Sequence, residues 1–349
     1  MSSDRCPIIR ERASGSRLTL VAEVQTSIGP RQLVTHRSSA SGHWAFALTI
    51  LLAILPPSIQ AAAAPVVLTT FAVIGDFGSD YISTRRVAKL VRDWQPQFVI
   101  TLGDNNYPSG SAVTIDRNIG QYYREFIAPY KGRYGAGALT NRFFPCLGNH
   151  DWIAPDAKPY LDYFNLPGNE RYYTFTRGPI QFFCLDSDKS EPDGTSPDSS
   201  QGQWLQQELT NSLAVWKLVY FHHAPYSSGV VHGTHTGETA RMRWPFHEWG
   251  VDAVLAGHDH IYERIHTNGL PYFVNGLGGD SRDKFHTAPV AGSVKRYFED
   301  FGALRVDATE NYVLFRFFNW RGTQIDSYRM TPRARPVAVP PNSEPVSQQ

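Results

Sequence analysis

Five apolar runs in this chain each end, within a few residues, in side chains of the kind that bind metals. Phe71-Ala-Val-Ile74 leads to Asp76, Phe98-Val-Ile-Thr-Leu102 to Asp104, and Phe143-Phe-Pro-Cys-Leu147 to Asn149 and His150. Leu218-Val-Tyr-Phe221 leads to His222 and His223, and Val251-Asp-Ala-Val-Leu-Ala256 leads to His258 and His260. Carboxylate, amide and imidazole groups are ligands for hard and borderline cations, so their convergence would build a metal site. Short β-branched or aromatic runs bounded by Gly, Asp and Asn read as buried strands. An α/β protein places its ligand site beyond the carboxyl ends of such strands. The same pattern repeated five times predicts one metal-bearing edge.

Helical patterns alternate with these strands. Val87, Leu90, Val91 and Trp94 share one helical face, and Ile115, Ile119, Tyr122, Tyr123, Phe126 and Ile127 extend a second with the same period. Ser200 and Gln203 read as a capping box ahead of Trp204-Leu205. Ala303 to Asp307, Tyr312 to Phe317 and Thr323 to Tyr328 read as consecutive antiparallel strands. Together they imply an α/β protein with a mixed sheet arrangement flanked by helices.

The chain has 349 residues, 42% hydrophobic and 13% aromatic, enough for a large core in one or two domains. Its first 64 residues hold six Arg, no Lys and three acids, leaving 27 bases and 29 acids in the remainder. That near-neutral balance indicates no nucleic-acid partner and no membrane-surface partner. Trp44 to Leu55 is an apolar run followed by Pro56-Pro57 and by Ala61 to Ala64, the pattern of a secretory signal. Twelve residues fall short of the roughly 20 that a membrane-spanning helix needs. Residues 1–64 are therefore expected to be a leader, with a secreted or periplasmic mature protein starting near Pro65 and no stable membrane span after cleavage. Cys6 would leave with the leader. Cys146 and Cys184 lie in apolar runs as buried thiols, and sequence does not decide whether they pair. Residues 331–349, rich in Pro and polar side chains, are expected to be disordered.

Gly75-Asp-Phe-Gly78, Gly103-Asp-Asn-Asn-Tyr107, Gly148-Asn-His-Asp151, His223-Ala-Pro225 and Gly257-His-Asp-His260 together resemble the metallophosphoesterase superfamily. Within it, the chain resembles the purple acid phosphatases of the short, tartrate-resistant type, over about residues 68 to 330. Gly78 stands where most superfamily members carry a histidine ligand, and Tyr107, three residues after Asp104, stands where purple acid phosphatases supply a tyrosine instead. The resemblance implies a four-layer α/β/β/α sandwich spanning residues 65–330, two mixed sheets with helices outside. It implies two metal ions: metal 1 on Asp76, Asp104, Tyr107 and His260, and metal 2 on Asp104, Asn149, His223 and His258. A phenolate suits Fe(III) at metal 1, while metal 2 stays open among Fe, Zn and Mn. The implied reaction is hydrolysis of a phosphate monoester, a small phosphorylated substrate, by in-line attack of metal-bound hydroxide.

His222 and His223 are adjacent, so on one extended strand only one can face the metals. The family pattern His-x-Pro selects His223. His150 resembles the family histidine that contacts substrate phosphate, and His232 the loop histidine that protonates the leaving alcohol, a task suited to imidazole. His235 is a neighbouring alternative for that role. Asp151, Asp186 and Asp259 are expected to support the site, and Tyr262-Glu-Arg264 to tie the last ligand loop to the core. Two other readings stand beside the phosphomonoesterase: an esterase for phosphodiesters or nucleotides, and a non-catalytic metal- or phosphate-binding protein. Loops around 107–141, 187–199 and 226–243 carry the choice of substrate. Oligomeric state is not legible.

Overall fold

The structure is a computed structural model and describes residues 68–333. The leader, Cys6 and the tail beyond Arg333 lie outside the described residues.

Thirteen strands are described: β1 (Thr69–Ile74), β2 (Phe98–Thr101), β3 (Phe143–Pro145), β4 (Tyr173–Arg177), β5 (Ile180–Cys184), β6 (Trp216–His223) and β7 (Ala253–Gly257). Then follow β8 (Tyr262–Thr267), β9 (Leu270–Asn275), β10 (Ser293–Tyr297), β11 (Gly302–Thr309), β12 (Tyr312–Asn319) and β13 (Gln324–Met330). One sheet runs β13-β12-β11-β1-β2-β3, the other β10-β8-β9-β7-β6-β5-β4. β1, β2 and β3 are parallel, as are β5, β6, β7 and β9, and antiparallel strands complete each sheet.

The two sheets pack face to face through aromatic rings. Phe182 meets Phe71 and Phe98 edge-on at 5.1 and 5.4 Å, and Phe273 stacks on Phe315 at 4.4 Å. Alternation along β6 shows how one strand serves two layers. Leu218 and Tyr220 enter the core between the sheets, whereas Val219 and Phe221 join a second core with Leu205 and Leu209 of the helix Ser200–Asn211. Outside the first sheet, the helix Ile82–Asp93 buries Val87, Ala88 and Val91. The result is the expected sandwich of two mixed sheets with helices outside. Cys146 and Cys184 are both buried and free.

Two local expectations are corrected. The N-cap of the helix Ser200–Asn211 is Ser199, whose hydroxyl accepts from the Gly202 amide at 3.2 Å, and not Ser200. The face from Ile115 to Ile127 is not one regular helix. It is a π-turn Asp116–Gly120, an α-turn Gln121–Tyr123 and a 3₁₀ turn Arg124–Phe126. The Asp116 carboxylate there accepts from Tyr130 Oη (2.6 Å), Tyr163 Oη (2.9 Å) and the Arg133 amide (2.9 Å), and these tertiary bonds override the local period.

Candidate metal centre

Asp76, Asp104 and Asn149 follow β1, β2 and β3 of one sheet, while His222 is the last residue but one of β6 and His258 follows β7 of the other. The donors thus meet where the carboxyl ends of parallel strands from both sheets come together. Asp76, Asp104 and His258 have φ of 55, 50 and 71°, in the left-handed region. Such backbone costs of order 1 kcal/mol per non-glycine residue and persists where surrounding structure fixes a functional side chain.

Tyr107 Oη lies 2.9 Å from Asp104 Oδ2, 3.3 Å from Asp76 Oδ1 and 3.1 Å from His260 Nε2, and His260 Nε2 is 3.3 Å from Asp76 Oδ1. Octahedral bonds near 2 Å put neighbouring ligand atoms about 3 Å apart, so these four donors are spaced as neighbouring ligands around one cation site would be. A Cβ at Gly78 would lie 2.1 to 2.3 Å from the backbone of Asn105 and Asn106, leaving no room there for a histidine. Burial, reinforced by Asp104 and Asp76, holds the Tyr107 phenol well above its ordinary pKa. Burial opposes the charged form of His260, but the hydrogen bond and charge of Asp76 prevail and push it up to about 9. Protons therefore occupy this half in the absence of a cation.

A second group converges on Asp104 from the other side. His222 Nε2 lies 2.9 Å from Asn149 Oδ1, 3.1 Å from His258 Nδ1 and 3.5 Å from Asp104 Oδ2. Its Nδ1 donates to the Leu102 carbonyl at 2.7 Å, so Nε2 is the atom left to bind. The buried His258 Nε2 has no hydrogen-bond partner among the described residues. Lone pairs and carboxylate oxygens crowded this closely need positive charge between them, and the donor set fits a divalent cation.

The histidine facing this group is His222, and not the predicted His223. His223 directs its Nδ1 to Ser187 Oγ at 2.8 Å and packs its ring on His258, with centroids 4.4 Å apart. Alternation is obeyed, but the register is not the one counted back from Pro225. Tyr220 pairs with Leu255 and His223 with Gly257, so β6 carries one residue more than β7 between these pairs. Such a bulge re-aims a side chain at a strand end. The His222 ring packs on Gly103, at φ +87°, where a Cβ would lie 2.5 Å from Nδ1.

His150 Nδ1 is 2.6 Å from the Pro108 carbonyl, and Nε2 points inward, 4.0 Å from Asp104 Oδ2. His232 packs on His258 with ring centroids 4.0 Å apart, and its Nδ1 is 3.1 Å from Glu238 Oε2. His235 instead packs on His286 at 4.2 Å. His232, Glu238 and His258 form a compact cluster, and Glu238 was not foreseen. Nothing marks it but its place six residues after His232 in a loop. The His258 contact, opposed by partial burial and aided by His232, pulls Glu238 down to about 2.

The supporting acids hold the loops. Asp151 accepts from the Gly148 and Asn105 amides at 2.9 and 3.2 Å, and burial, then Asp104, pushes its carboxyl up to about 6. Asp186 accepts from Trp152 Nε1 at 2.8 Å and so anchors the short helix that carries Asn149 and His150. Asp259 accepts from the His232 amide at 3.1 Å. Tyr262 and Arg264 both bond Asp326 of β13, at 2.8 and 2.7 Å, tying the two sheets together. Beside Tyr107, His150 and His260 lies an open cavity of about 710 Å³.

Residues 69–262 match the family model described as calcineurin-like phosphoesterase. Purple acid phosphatase 7 of Arabidopsis thaliana is 24% identical over 294 residues, covering 76% of this chain and 87% of that one. Human tartrate-resistant acid phosphatase type 5 is 23% identical over 330 residues, covering 83% and 98%. The solved purple acid phosphatase from yellow lupin seeds superposes with a TM-score of 0.62 at 18% identity, over 76% of this chain and 54% of that longer one, a likeness of fold.

Proposed function

The chain belongs to the calcineurin-like phosphoesterase family, and we propose that it is a dinuclear-metal acid phosphatase acting on phosphate monoesters. The observation that carries this reading is the pair of donor sets sharing Asp104. Asp76, Asp104, Tyr107 and His260 would hold metal 1, best suited to Fe(III), and Asp104, Asn149, His222 and His258 would hold metal 2, as Fe, Zn or Mn. When bound, two such cations lower the pKa of water and neutralise charge on the phosphoryl oxygens.

The protein's own groups do the rest. The Pro108 carbonyl accepts Nδ1–H of His150 and so aims Nε2 inward; with both ring nitrogens protonated, Nε2–H donates to a phosphoryl oxygen. Glu238 accepts Nδ1–H of His232 and fixes the orientation of the ring, which leaves Nε2 as the atom to pass a proton to the leaving alcohol. Buried Asp151 and Asp186 keep the Asn149–His150 segment in place before substrate arrives. No Ser, Cys or Thr stands in a nucleophile motif, which favours direct displacement over a phosphoenzyme. Export after removal of the leader belongs to the same proposal and rests on the apolar run before Ala61 to Ala64. No helix among the described residues is long and apolar enough to cross a membrane.

The test is hydrolysis of an aryl phosphate monoester beside the matching diester from acidic to alkaline pH, with metal content measured. Monoester turnover with an acidic optimum is expected. Preference for the diester, or no turnover with two metals bound, would overturn the proposal.

A further inference from the structure

The 710 Å³ cavity is far larger than one phosphoryl group needs and lies in the size range of pockets that enclose whole small molecules. It is lined by Tyr107, His150 and His260 of the candidate centre and also by Arg117 and Tyr81. The charged groups around it are mostly engaged. Asp80 accepts from Gln121 (2.8 Å), Arg85 and Tyr122, Asp280 accepts from Ser79, and His260 pairs with Asp76. Among the described residues, Arg117 makes no ion pair and no side-chain hydrogen bond.

An exposed arginine is ordinary by itself. This one is held at its base on both sides. Asp116 is pinned by Tyr130, Tyr163 and the Arg133 amide, and Asn118 Nδ2 donates to the Tyr107 carbonyl at 3.0 Å and to Asn106 Oδ1 at 2.9 Å. The intervening π-turn is a geometry that recurs at functional sites. The guanidinium is thus a fork with open donors, carried on backbone fixed to Tyr107 itself, and such forks match phosphate oxygens in pairs.

We infer that Arg117 is a specificity-determining residue that binds a second phosphoryl group lying beyond the scissile one, so that the site favours substrates carrying two phosphoryl groups over simple monoesters. This rests on the phosphatase reading above. The test compares the metal-loaded full chain with Arg117→Gln and Arg117→Lys, measuring kcat/KM for inorganic pyrophosphate and for phenyl phosphate. Losing one charge-assisted fork should lower the pyrophosphate value roughly tenfold to a hundredfold, with phenyl phosphate changed less than threefold and Arg117→Lys recovering part of the loss. Calorimetry with methylenediphosphonate and methylphosphonate reads the same contact without turnover: the wild type should prefer the diphosphonate, and Arg117→Gln should lose that preference. Equal changes for both substrates, or an unaltered binding preference, would overturn the role of Arg117. If the wild type hydrolyses neither substrate, the phosphatase reading fails and the binding preference alone decides on Arg117.

Discussion

His258 and His260 are separated by one residue, yet their imidazoles are driven in opposite directions. Burial, with His222 and His232 nearby, lowers His258 to about 4, while Asp76 raises His260 to about 9 against the cost of its burial. The difference lies in what each faces across the sheet ends. His260 meets a carboxylate and a phenol from the β1 and β2 loops; His258 meets other imidazoles from β6 and the 232 loop. The half around Asp76 therefore stores protons where a cation would sit, while the other half keeps a neutral nitrogen at His258 only: beside it burial opposes the charged form of His222, but Asp104 and Asp76 prevail and raise it. On the proposed assignment, a cation at metal 1 would have to displace protons from Tyr107 and His260, which would favour a strongly charged ion, whereas at His258 the proton barrier to metal 2 would be smaller.

Asp104 belongs to both halves, so Asp104→Asn should erase the contrast. We expect loss of both metals and a fall in kcat/KM beyond the roughly hundredfold that removing a supporting partner costs. Retention of one full equivalent of metal would show that the halves do not share it. His222→Ala should lose metal 2 alone, leaving one ion per chain, whereas His223→Ala should keep two and lose activity by at most roughly a hundredfold through His258 and Ser187. Preferential metal loss from His223→Ala would restore the assignment made from His-x-Pro. Tyr107→Phe should keep the fold and abolish the visible band that a phenolate bound to Fe(III) gives. A full band in that variant would remove tyrosine from metal 1.

The positions of Asp76, Asp104, Asn149 and the 258–260 pair were legible because each follows an apolar run, and a buried strand has only one end at which to present a polar group. The two-sheet sandwich followed from the resemblance and from the antiparallel strands after Ala303. What sequence concealed was set by contacts distant along the chain. The choice of His222 over His223 depends on how β6 registers against β7, which neither strand encodes alone. The broken helix after Ile115 depends on Tyr163 and Tyr130 reaching Asp116. Glu238 acquires a role only because its loop folds over His258, and loop closure leaves no periodic trace.

The contrast between His258 and His260 also predicts how stability depends on pH once metals are removed. The unfolded reference for both is 6.5. His260, raised to about 9, contributes stability that is fully present below 6.5 and is lost as pH rises towards 9. For His258 the sign is reversed. Between about 4 and 6.5 the unfolded chain takes up a proton that the folded chain refuses, so stability falls as pH drops through that window. Each limb amounts to about 3 kcal/mol. Asp151, raised to about 6, works against the acidic limb, because below that pH the folded state holds more protons than the unfolded one. Difference curves between variants therefore carry the test. Denaturant midpoints of chelator-treated protein at pH 4.5, 6.5 and 9 should show His260→Ala flattening the alkaline limb and His258→Ala flattening the acidic one. If His260→Ala left the alkaline limb unchanged, the Asp76–His260 proton would not be the one a metal has to displace.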